Sequence, residues 1–241
     1  GSERLLLAAL VMTAISLLIP ILCVSRFQLV FAVLLAAFTY ISLQKLFHPG
    51  WLFGLFVVMI PFYLILTVAR SHNIEYLNGI FEMKNASMPI FVSQPYIYIA
   101  NNYDNFNFLV GALPGHSFGL KGLVPLWALS GLKFFFPQLI NFPIYVDKTE
   151  LTTLTLFYDS YYDFGWIGVL LFSCILGAIA YILVVKLREM RNPLGYLLYA
   201  QFAAYLMLSF FTTWFSNTTT WFYLILTGIM ALFYHLRASR W

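Results

Sequence analysis

Long apolar runs bounded by short polar connections occupy both ends of the chain, and a stretch of mixed polarity separates them. Residues 5–24, 27–43 and 51–69 form the first set, and residues 166–185, 193–215 and 218–236 the second. A transmembrane helix needs about 20 predominantly apolar residues, so each run reads as one spanning helix. Only Ser25-Arg26 separates the first two, which predicts a tight antiparallel hairpin, and His48-Pro49-Gly50 leads into the third. The expected fold is therefore all-α: a polytopic membrane helix bundle with about six clear transmembrane helices, read as one membrane domain over residues 1–241. Residues 5–69 supply three helices, 166–236 three more, and 70–165 a long external segment.

The mixed stretch has its own pattern. Residues 88–112 interleave apolar and polar positions around Asn101-Asn102-Tyr103-Asp104-Asn105, and residues 120–136 are more apolar but hold Lys121, Pro125 and Lys133. Either is expected to form an interfacial or re-entrant helix, because irregular polar backbone near lipid survives only when buried in protein or lining a wet cavity.

Composition agrees with a lipid environment. Apolar residues make up 62% of the chain and charged ones 9%, against about 45–50% and 25% in a soluble domain. The net charge of +4 comes with no basic stripe, which excludes nucleic acid as a partner. Instead the cations mark topology. With both termini in the cytoplasm, the inner connections hold Lys45 and His48, then Lys186, Arg188 and Arg191, then Arg237 and Arg240. The 70–165 segment carries five basic and seven acidic residues and reads as external. Trp51, Trp166, Trp214, Trp221 and Trp241 cluster near run ends, as interfacial belts do. Cys23 and Cys174 both lie in apolar runs, which suits neither a disulfide framework nor a metal site.

Candidate chemistry falls in the external segment. Arg70-Ser71-His72 sits where the third run ends; it is either an interface anchor or an anion clamp in which the guanidinium takes a phosphate and the imidazole adds a donor. His116 lies in Leu113-Pro114-Gly115-His116-Ser117-Phe118-Gly119, either a plain connecting loop or one whose glycines permit close ligand approach; its spacing is not that of a phosphate-binding Walker motif, and Lys121 follows as a second candidate phosphate contact. The run from Leu151 to Gly165 is the richest. If helical, Asp159 and Asp163 share one face at i and i+4, with Tyr158 and Tyr162 as a parallel pair beside them. Carboxylates flanked by aromatic platforms suit a carbohydrate; the same residues also fit an aromatic belt with two solvated acids.

Tyr158-Asp159-Ser160-Tyr161-Tyr162-Asp163-Phe164-Gly165-Trp166-Ile167-Gly168, followed by an apolar helix containing Gly177, resembles the later part of bacterial oligosaccharide repeat-unit polymerases, the Wzy-type O-antigen and capsule polymerases. The run from Pro95 to Phe106 resembles their external segment, and Arg70 leaving a helix into it fits as well. The resemblance covers residues 51–187. Members are usually longer and carry more spanning helices, so the chain is either a compact member or the later part of one.

The resemblance implies a glycosyltransferase of the bacterial inner membrane that polymerises lipid-linked repeat units at the external face. It implies inverting transfer from a glycan on undecaprenyl pyrophosphate to a lipid-linked acceptor, without cofactor or metal, with a chain-length regulator as a further partner. In that scheme Asp163, then Asp159 or His116, is the base, and Arg70, His72 and Lys121 hold the leaving pyrophosphate. Two other classes stay open: a transporter or flippase for a lipid-linked or small solute, and a non-catalytic envelope scaffold. Against transport, the six runs hold almost no ionisable residue from which to build a pathway.

Overall fold

The computed structural model describes residues 2–22, 26–44, 49–68, 73–189, 192–210 and 212–238, and all regular structure among them is helical. The chain divides into two compact units, residues 1–93 and 94–241.

The first unit contains α1 (Ser2–Leu22), α2 (Arg26–Gln44), α3 (Pro49–Val68) and α4 (Ile74–Ile80). α1 packs on α2, and α2 on α3. Hydroxyls within these helices turn back on their own backbone. Thr13 donates to the Ala9 carbonyl (2.8 Å), Thr39 to Leu35 (2.7 Å), Ser42 to Phe38 (2.7 Å) and Thr67 to Tyr63 (2.6 Å). A hydroxyl satisfied four residues back lowers the cost of a polar residue in an apolar helix. Asn73 caps α4 by accepting the Tyr76 N–H (3.0 Å).

α5 (Ile90–Ala112) runs through the division. In the second unit follow α6 (Val124–Leu129), two single 3-10 turns, α7 (Tyr158–Glu189), α8 (Pro193–Met207) and α9 (Thr218–Ala238). α8 packs against α7 and α9, and α6 against α9. Asn192 fixes one of these contacts twice over. Its side-chain oxygen caps α8 at the Leu194 N–H (3.0 Å), and its amide donates to Ala231 on α9 (2.7 Å).

Among the described residues, two helices are long and apolar enough to cross a membrane: α7 over Tyr158–Lys186 and α9 over Thr218–Arg237. Only 11% and 17% of their most apolar stretches are buried inside the protein. Core helices of a water-soluble protein would be mostly covered, so these two exposed apolar helices are candidate membrane spans.

The fifth expected span, 193–215, is cut short. α8 has 15 residues, about 23 Å at 1.5 Å per residue, less than the roughly 30 Å hydrocarbon core. The cause is long-range. The Ser209 carbonyl accepts the Leu156 N–H (3.1 Å), and the Phe210 carbonyl accepts the Asn102 amide (3.0 Å). The Trp214 indole closes the helix end on the Leu208 carbonyl (3.1 Å).

α5 holds a non-helical chain segment in place with two buried asparagines, and a third reaches just past the end of α8. Asn105 donates to the carbonyls of Leu151 (2.7 Å) and Thr153 (2.8 Å) and accepts the Asp147 N–H (3.0 Å). Asn101 donates to Leu151 as well (3.0 Å), and Asn102 reaches Phe210. This anchors residues 145–156, which lead directly into α7.

Candidate functional site

α7 is two helices joined at a kink. Phe164 (φ −137°, ψ 15°) and Gly165 (φ 60°, ψ −146°) are non-helical, so residues 158–163 form a short first arm and residues 166–189 a long second one. Glycines make the junction possible. A Cβ on Gly165 would press on the His116 ring at 3.2 Å, and one on Gly168 would run into the Ser160 carbonyl. The Phe164-Gly165-Trp166-Ile167-Gly168 step therefore has a mechanical meaning: one glycine turns the chain, and the other admits the carbonyl that the turn brings close.

The loop 116–122 folds onto the first arm. The carbonyls of Tyr162 and Asp163, the last before the kink, accept the N–H groups of Ser117 (3.2 Å) and Phe118 (3.1 Å). Phe118 (φ 51°) and Gly119 (φ 93°) lie in the left-handed region and reverse the chain there.

That reversal brings three more donors to the Asp163 carboxylate. The Ser117 hydroxyl and the Lys121 N–H (3.1 Å) donate to Oδ1, and the Gly122 N–H (2.7 Å) donates to Oδ2. A side chain at position 122 would meet Oδ2, so the close approach requires glycine. Asp163 is buried, and its carboxylate is the knot that ties the loop to α7. A buried carboxylate is tolerable because it is hydrogen-bonded in this way.

Lys121 points inward. Its ammonium lies 3.4 Å from Asp159 Oδ1 and over the rings of Tyr162 (4.8 Å), Phe142 (5.7 Å) and Tyr158 (5.8 Å). Ser216 also hydrogen-bonds to the Asp159 side chain. Charge and rings together compensate an ammonium that has left water. The Tyr158 hydroxyl spans the backbone of Tyr145, accepting its N–H (2.7 Å) and donating to its carbonyl (2.8 Å). Leu109, Tyr158, Tyr161 and Tyr162 form the buried core beneath, with Phe106, Leu113 and Phe142 against it.

His116 is the exposed member of the group. Its Nδ1 lies 3.3 Å from the Tyr162 carbonyl, and its ring meets Tyr161 edge-on at 6.0 Å. A carbonyl can only accept, so this contact assigns the proton to Nδ1 and leaves Nε2 with its lone pair in the neutral ring.

Of the residues singled out from the sequence, Asp159, Asp163, His116, Lys121, Tyr158 and Tyr162 come together here. Asp159 and Asp163 do share one face of a helix, but both are buried against the loop instead of being solvated. Tyr158 and Tyr162 are buried as well, and they face the Lys121 ammonium where a sugar-stacking role needs open faces. Lys121 is held by Asp159 and three rings, so it is not presented to a phosphate. Arg70 and His72 lie outside the described residues. Ser117 does not stand out from its loop by residue type, and neither do Phe142 and Ser216, which reach the cluster from distant parts of the chain. Among the described residues no three His, Cys, Asp or Glu side chains converge to hold a metal ion.

No protein-family model, characterised protein or solved structure matches the chain.

Proposed function

We propose that the chain is a multi-span inner-membrane glycosyltransferase that polymerises lipid-linked oligosaccharide repeat units at the external face. The observation that carries this reading is the convergence of His116, Ser117, Lys121, Asp159 and Asp163 where the first arm of α7 meets the 116–122 loop. That end of α7 lies opposite its Lys186 end, and α9 carries His235 and Arg237 in its last turn, which fits a cytoplasmic side there.

The geometry favours a division of labour. Asp163 has its oxygens engaged by the loop, so it serves as a positioning residue. His116 presents an imidazole oriented through Nδ1, and its Nε2 is the base. The acceptor hydroxyl oxygen attacks the anomeric carbon as its proton passes to Nε2. The bond from that carbon to the lipid pyrophosphate breaks, and the pyrophosphate leaves with the electron pair. The leaving pyrophosphate needs cations, and on the sequence alone Arg70 and His72 are the candidates. Six crossings with both termini cytoplasmic belong to the same proposal, the fifth made by α8 together with the residues that follow it.

The test is a polymer-length ladder from cells carrying single variants, with membrane insertion checked by blotting. His116→Ala is expected to slow polymerisation about 10²–10⁴-fold, and Arg70→Ala to shorten the ladder. An unchanged ladder from an inserted His116→Ala protein would sink the reading.

A further inference from the structure

A cavity of about 340 Å³ lies between α6 and α9. Leu123, Leu126 and Leu129 line one side, and Trp221 and Ile225 line the other. Its volume is in the range of ligand pockets, but its lining offers a ligand no charged side chain, which excludes a sugar or a phosphate as the occupant. Two features narrow the choice further. One wall is α9, a helix long and apolar enough to cross a membrane, whose neighbouring Phe222, Leu226 and Ile229 are exposed. Gly122 also lines the cavity, and its N–H donates to Asp163 (2.7 Å). An apolar space lined by a candidate membrane-spanning helix thus shares a wall with the polar cluster.

We infer that this cavity seats the hydrocarbon tail of the lipid-linked substrate, next to the cluster that handles its head. The inference rests on the proposed function and adds the tail-binding subsite to it. A bulk phospholipid has no reason to choose this place over the exposed apolar faces of α7. A molecule with one long tail and one reactive polar head does, because here the two environments touch. Leu126 and Ile225 are the tail-contacting residues, and Trp221 forms the lip.

Photolabelling of the full chain in phosphatidylcholine nanodiscs tests this. One probe is a polyprenyl phosphate with a diazirine near its head, and the other is a phosphatidylcholine with a diazirine in its acyl chain. The polyprenyl probe is expected to label Leu126, Leu129 or Ile225 and to be displaced by unlabelled polyprenyl phosphate. Leu126→Trp and Ile225→Trp are expected to cut that labelling at least about tenfold, equivalent to 1.4 kcal/mol. Equal labelling of the same positions by phosphatidylcholine, or polyprenyl labelling spread evenly over Leu170 and Ile175, overturns the inference. The wild-type map decides even if a tryptophan variant fails to fold. Labelling needs no turnover, so the two readings fail separately. An inactive chain labelled in the cavity refutes the polymerase reading alone, and an active chain labelled elsewhere refutes the tail site alone.

Discussion

The two arms of α7 invert each other. In the first, Tyr158 is 0% exposed, Asp163 3% and Tyr162 5%. Just past the kink, Trp166 is 63% exposed and Leu170 65%. One continuous sequence element buries its carboxylates and tyrosines, then turns its isoleucines and leucines outward. Water as sole solvent would favour the reverse on both sides of Gly165. The first arm is paid for by donors and rings brought to it from elsewhere in the chain, whereas the second needs only a medium as apolar as itself. Position relative to one glycine decides which rule applies.

The sharpest way to break this comparison is to remove the partner that makes the first arm tolerable. Lys121→Met leaves Asp159 buried without its ammonium and is expected to lower stability by about 3–5 kcal/mol. Thermal unfolding in detergent measures it, and adding Asp159→Asn should restore a large part of the loss. If the single variant unfolds like the wild type, the pair does not sustain the arm.

The second arm is tested by the opposite change. Ile175→Arg puts a charge on an exposed apolar face near the middle of the span, and it is expected to oppose insertion by about 2.5–3.5 kcal/mol. Membrane fractionation with a topology reporter reads it. Undiminished insertion would show that this face does not meet lipid.

The junction gives the smallest effect. Gly165→Ala forces a side chain into a backbone region reserved for glycine and against the His116 ring, at a cost of about 1–3 kcal/mol. Polymerisation should fall further than unfolding temperature does if the displaced ring carries the proposed base. Equal losses in both would make the kink a purely structural feature.

Apolar run length made several helices legible. The runs at 27–43 and 218–236 fall within a residue or two of α2 and α9, and spacing by four put Asp159 and Asp163 on one face. Run length failed at α8 because Leu208, Phe210, Trp214 and Phe215 continue the apolar pattern after the helix has stopped. What stops it there is an amide on Asn102, distant in sequence, and hydropathy carries no trace of that pairing. The site was half legible for the same reason. His116, Lys121 and both acids stood out by residue type. The direction each faces depends on turns at Phe118 and Gly119 that fold one stretch of chain onto another. A lysine in a loop looks available until the loop closes it over Asp159.

The asparagines of α5 have one more consequence. A side-chain amide is a peptide group on a short stalk, with the same N–H donors and the same carbonyl. Asn101, Asn102 and Asn105 present to residues 147–153 and to Phe210 what a neighbouring β-strand would otherwise present. A non-helical run of chain is thereby held by hydrogen bonds in a fold whose regular elements, among the described residues, are all helices. A helix decorated in this way serves as half a sheet, and it can accept an irregular segment where the surroundings supply no water to do so.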